Sequence, residues 1–221
     1  NTFLFCVSPL PQKHAPGKSM KIRALFKNKI FILCFFAIMF GGAAEVTISQ
    51  WSSVYIEKGL MIPKLWGDLI GTCGFAISMG IGRIVFGKFG EKLNLNKILL
   101  YGSVFSALCY IIVAISPIPI FSVVACILNG LCVSLLWPGT LSIASARLPL
   151  AGASMFALLA AGGDIGAATG PYFAGVITDF SSAFNLSEQQ GLKTAMLVCA
   201  VIPIISFGFH FFLNKKSKAI K

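Results

Sequence analysis

Charge is what this sequence has least of. Asp, Glu, Lys and Arg make up 11% of its 221 residues, against ~25% in soluble domains. So few charges cannot cover a water-facing surface. With 57% hydrophobic residues, lipid becomes the expected solvent. Acids are the scarcest charged group, seven against eighteen Lys and Arg. Histidine occurs twice, as His14 and His210, far apart in the chain. The seven cysteines form no CxxC pair and have no His at ligand spacing, so they read as small apolar filler and not as a metal site. No HExxH, no cofactor motif and no paired nucleophile and base can be found, which argues against an enzyme. No basic segment precedes the apolar residues 1–10, so they make a poor signal peptide.

Long apolar runs are what the sequence has instead. Six lie at about 30–55, 66–87, 97–116, 119–143, 152–178 and 192–213. Each is long enough to cross ~30 Å of hydrocarbon as a helix. Helix is required there, because the bilayer core offers backbone groups no outside partner. The net charge of +11 does not indicate nucleic acid, since the basic residues stand at the ends of apolar runs and form no interleaved patch. They also divide unevenly. Residues 13–29 carry six, the second gap four (Arg83, Lys88, Lys92, Lys97), the fourth gap Arg147, and the tail Lys215, Lys216, Lys218 and Lys221. The other side holds Lys58, Lys64 and Lys193. By the positive-inside rule both termini are expected to be cytoplasmic, in a multi-pass protein of the cell membrane.

An internal echo recurs at an offset of 88 residues: Gly74, Gly82, Gly87 and Glu91 return as Gly162, Gly170, Gly175 and Asp179. The first set ends at one side of the bilayer and the second at the other. The expected fold is therefore an all-α bundle of two inverted three-helix repeats, about 30–116 and 119–213. Residues 1–29 read as the end of a preceding helix and a basic loop, and 214–221 as a basic tail. A further portion is expected upstream.

Two acids fall inside apolar runs, Glu45 and Asp164, and intramembrane carboxyls are functional candidates by default. No Lys or Arg is expected at similar depth. Each carboxyl should therefore line water, bind a cation or proton, or meet a group outside this chain. A low-dielectric surround disfavours the charged form, which suits proton coupling. Glu45, Ser49 and Ser52 share a helical face, with Gln50 and Trp51 beside them. An amide and an indole on a cavity wall suit a hydroxyl-rich ligand. In the fourth run Asn129 and Trp137 are eight residues apart, so roughly on one face. Pro138 frees a backbone carbonyl and permits a kink. The glycines of the second and fifth runs read as close-packing surfaces. The third and sixth runs carry fewer polar residues and are expected to face lipid.

Residues Gly82 to Lys97 resemble the cytoplasmic signature that follows the second helix of a half in the major facilitator superfamily. Gly87 is followed four residues on by an acid and a base, Glu91 and Lys92, and then by Lys97. Glu stands for the usual Asp, and Asn94 for a common Gly. The resemblance implies a conformational latch at Gly87, Glu91 and Lys92. The stretch Gly130 to Pro171 looks like the C-terminal half of the fucose-permease-like branch, whose members are often sugar:proton symporters. Asp164 departs from it, since many relatives have a small residue there. The resemblance covers about residues 28–213 and implies helices seven to twelve of twelve. The expected partners are then a small polar solute such as a sugar, protons, the lipid bilayer and a six-helix half upstream. Glu45, Gln50, Trp51, Asn129, Trp137 and Asp164 are the expected cavity residues, with no cofactor. A truncated fragment that does not transport, or an exporter of the same superfamily, is the alternative.

Overall fold

The computed structural model describes Met20 and residues 22–218, without the side chains of Glu91, Ser182 and residues 216–218. The apolar residues 1–10, expected to end a preceding helix, lie outside the described residues. Six helices are long and apolar enough to cross a membrane: α1 Lys29–Gly59, α2 Lys64–Phe89, α3 Leu95–Ile115, α4 Pro119–Arg147, α5 Pro149–Ser181 and α6 Glu188–Lys215. All-helical architecture with six spans is thus the fold of the described residues.

Local chemistry sets the ends. The Asn28 carboxamide oxygen accepts from the Ile30 amide at 2.8 Å and caps α1. Pro119 opens α4, where a missing N–H costs nothing. Ser187 and Gln190 form a capping box at α6, each side chain accepting from the other's backbone amide. That box starts α6 at Glu188, four residues before its apolar run. α1 runs on to Gly59 because its last turn, Tyr55–Gly59, widens to π geometry.

α1 lies at the centre and packs against α2, α4, α5 and α6. Its closest neighbour is α5, and glycine explains why. A Cβ on Gly42 would sit 2.8 Å from the Gly163 carbonyl oxygen, and one on Gly170 would sit 2.9 Å from that of Ala43. A Cβ on Gly166 would overlap the Met39 carbonyl. Without a hydrophobic drive between helices in lipid, such close backbone approach is a main source of cohesion.

The 88-residue offset relates contacts as well as residues. Gly42 meets the carbonyl of Gly163, and the shifted pair, Gly130 and the carbonyl of Phe75, meets in the same way. Gly74 and Gly82 of α2 face α4, while Gly162 and Gly170 of α5 face α1. Likewise α1 packs on α5 as α4 packs on α2, and α1 on α6 as α4 on α3. The two repeats are related in how they pack. They differ at one seam: α5 packs along α6, whereas α2 and α3 make few contacts.

α3 and α6, expected to face lipid, each have an exposed apolar face and a buried polar one. Their outer faces do expose Phe105, Phe211 and Phe212. Their inner faces bury Ser103, Ser206 and His210. His210 Nδ1 donates to the Ser206 carbonyl at 2.9 Å, since that oxygen can only accept. Its Nε2 lies 2.9 Å from Thr140 Oγ1 on α4. Three helices thus share one polar cluster, which satisfies groups that hydrocarbon could not. Tyr110 provides a comparable link, its buried hydroxyl donating to the Ala44 carbonyl at 2.8 Å. Tyr110→Phe is expected to destabilise the bundle by about 1 kcal/mol, read as a lower melting temperature in detergent.

Candidate functional site

The site begins with a proline. Pro138 has no N–H, so the carbonyl four residues before it, that of Ser134, loses its helical donor. The α-helical geometry of α4 is interrupted at this point, with Val133 ending one segment and Leu136 beginning the next. Arg83 of α2 supplies the replacement: its Nε donates to the Ser134 carbonyl at 3.2 Å. The guanidinium is thereby fixed against α4, and its Nη2 reaches Glu45 Oε1 on α1 at 3.5 Å. Gly82, next to Arg83, allows the approach, since a Cβ there would collide with the Ser134 side chain.

Arg83 overturns the expectation that no base stands at the depth of Glu45. Sequence position places Arg83 with the basic residues of the second gap, yet its guanidinium reaches the carboxyl. The two groups differ in access. The Arg83 side chain is 46% exposed and that of Glu45 is 13% exposed. Glu45 Oε2 is buried and has no hydrogen-bond partner among the described residues.

Both line a cavity of about 700 Å³ between α1, α2 and α4, with Phe86, Leu135, Trp137, Pro138 and Leu141 forming most of its wall and Ser142 at its side. That volume is in the range of small-molecule sites. Trp137 lies with its indole on α5, where a Cβ on Gly163 would come within 2.8 Å of the ring. The Ser142 hydroxyl donates to the Pro138 carbonyl at 3.0 Å. Gly87 of the expected latch also borders the cavity. Glu91 falls in a short 3-10 turn, Gly90–Lys92, and Lys92 is exposed.

The remaining expected residues lie elsewhere. Trp51 donates its ring N–H to the Pro171 carbonyl at 3.1 Å and so ties α1 to α5. Gln50 and Asp164 are exposed, and neither is among the residues lining this cavity. Asp164 adjoins Gly163, on the side of α5 turned away from α1. Asn129 is fully buried, and neither its amide oxygen nor its nitrogen has a partner among the described residues. Eight residues of unbroken helix would have kept it on one face with Trp137. The interruption at Ser134 and Leu135 falls between them, so only Trp137 reaches the cavity. Of the residues singled out in the sequence, Glu45, Trp137 and Pro138 line this cavity; Arg83 was missed, and its signal is the freed carbonyl of α4 awaiting a donor.

A profile described as the Major Facilitator Superfamily matches residues 66–221. No curated protein matches the chain.

Proposed function

Because the chain belongs to the major facilitator superfamily, we propose that it carries a small polar solute across the bilayer by alternating access, as one six-helix half working against another. The observation that carries this reading is the Glu45–Arg83 pair set in a cavity between helices that span the membrane. Such a pair is expensive in hydrocarbon and is characteristic of solute and proton paths. In this reading the half is the C-terminal one, both termini are cytoplasmic in the cell membrane, and Gly87, Glu91 and Lys92 form the latch between its states. Glu45 is the proton carrier, and Asp164, on the exposed side of α5, faces the other half. Support is stronger for a charged solute than for a sugar, since Gln50 and Trp51, on which a sugar would draw, are not among the residues lining this cavity.

The test is uptake into proteoliposomes of labelled sugars, amino acids and small organic acids. One arm holds this chain joined to its upstream coding region, the other this chain alone. Saturable accumulation by the joined form is the expected result. Uptake by neither form across the panel overturns the transport reading and leaves a membrane fragment that does not transport.

A further inference from the structure

α6 changes partners halfway along. Pro203 has no N–H, and its ring crowds the carbonyl of Cys199, four residues earlier. The helix is interrupted there, between Glu188–Cys199 and Val201–Lys218. The first segment packs along α5, whereas the second packs mainly on α1 and α3. A groove is left between α5 and the second segment, with α1 as its floor. Two cavities lie in it. One, of about 460 Å³, is mid-span and is lined by Phe40 and Ala43 of α1, Thr169 and Phe173 of α5, and Ile202 and Ile205 of α6. The other, of about 310 Å³, is at the end of the bundle and is lined by Lys29, Ile32 and Leu33 of α1 and Phe212 of α6. Helical spacing joins the two. Lys29, Ile32, Phe36, Met39 and Ala43 recur at alternating steps of three and four, so they share one face of α1. Val201, Ile205, Gly208, Phe212 and Lys215 do the same on α6. Between the cavities Phe36 stacks on Phe209 at 5.5 Å and extends the floor. A Cβ on Gly208 would meet nothing within 4 Å, so the groove is open there too.

We propose that this groove is a binding site for one anionic phospholipid, with an acyl chain laid along the α1–α6 seam into the mid-span cavity and the phosphate held by Lys29 and Lys215. Length, polarity and charge each point to that occupant. From Lys29 to Ala43 the groove runs about 21 Å at 1.5 Å per residue. That is half the ~40–45 Å thickness of a bilayer with its headgroup regions, the span of one lipid. The bed is apolar. Of the two hydroxyls lining the mid-span cavity, that of Thr169 donates to the Ile165 carbonyl at 2.8 Å, and that of Tyr172 belongs to an exposed side chain. The mouth is cationic. Lys29 and Lys215 are exposed there, and Arg23 and Lys27 are exposed just before α1. Neither residues 20–44 nor residues 189–221 contain an acid, so these cations have no partner on their own helices. A second copy of the chain fits the groove poorly. Parallel in the same membrane, it would bring its own basic end against this one, and like charges repel. An anionic headgroup is attracted to juxtamembrane lysines at the same level.

The experiment uses the full chain in mild non-ionic detergent, with native mass spectrometry to count retained lipids. The probes are phosphatidylglycerol and phosphatidylcholine with identical oleoyl chains. One phosphatidylglycerol per chain, preferred over phosphatidylcholine by about tenfold or more, is the expected result, because each lysine near the headgroup adds to the attraction of an anion. Gly208→Trp should plug the groove and abolish retention of both lipids. Lys29→Gln combined with Lys215→Gln should keep a lipid and lose the preference. A second measurement needs no variant: phosphatidylglycerol with a photoreactive acyl chain is crosslinked to the parent chain in nanodiscs, and the adducts are mapped. They should fall on α1, α5 and α6 around Met39, Phe173, Ile205 and Phe212. Equal retention of the two lipids by the parent overturns the anionic headgroup. Undiminished retention by a folded Gly208→Trp protein, or adducts confined to other helices, overturns the groove. Displacement of the lipid by soluble glycerol phosphate would show that phosphate alone is recognised and overturn the phospholipid. A dimer of the chain holding no lipid would give the groove to a second copy and overturn the proposal, as would a parent chain that retains neither lipid.

Discussion

Lysine in place of Arg83 is expected to slow transport by about ten- to a hundredfold, with little change in the yield of folded protein. The reason is geometric. Arginine presents five N–H donors in a planar fork, whereas lysine presents three at one point. Arg83 uses this spread to serve two acceptors on different helices, the Ser134 carbonyl on α4 and Glu45 on α1. A lysine ammonium can serve one of them well. Loss of a single charge-assisted hydrogen bond costs about 1.5–3 kcal/mol, and each 1.4 kcal/mol is a factor of about ten. The positive charge survives, so Glu45 is not left as a lone buried carboxylate, and folding should tolerate the change. Initial uptake rates in proteoliposomes, normalised to protein recovered by gel filtration, measure it. An Arg83→Lys variant that transports at the parent rate would show that charge alone suffices and that the fork is dispensable.

The second large effect is expected in folding. Gly166→Leu should cost more than about 3 kcal/mol, beyond the usual cost of overpacking, because the collision is with backbone and not with a flexible side chain. A Cβ at this position already overlaps the Met39 carbonyl, and Gly42 and Gly170 make similar approaches nearby. α1 and α5 would have to separate along most of their shared length. The matched control is Gly80→Leu on α2, where nothing lies within 4 Å of an added Cβ. Gel filtration in mild detergent should show aggregate for the first variant and a single symmetric peak for the second. A monodisperse Gly166→Leu protein would mean that the two helices are held together by something other than close backbone approach.

The six spans could be read directly because apolar runs of that length have one solution in a bilayer. Their ends were less legible. Ser187 and Gln190 start α6 inside a polar stretch that hydropathy alone assigns to a loop. Glu45 stood out as an acid in an apolar run. Arg83 did not, because its place near a cluster of basic residues suggested a boundary charge, and the length of its side chain is invisible to a linear count. The separation of Asn129 from Trp137 was hidden for a related reason: helical spacing assumes an unbroken helix. His210 joins Ser103, Thr140 and Ser206 from three helices, a grouping created by tertiary packing and carried by no local pattern.

The anchoring of Arg83 to α4 has a consequence that follows from counting donors. Of the five N–H groups on its guanidinium, one goes to the Ser134 carbonyl and one to Glu45. Three have no acceptor among the described residues. An acceptor arriving from the cavity can be received on these without releasing the carbonyl that Pro138 leaves unpaired. Occupancy of the site and integrity of the interrupted helix are therefore independent quantities, and the site has spare capacity where a lysine would have had to choose.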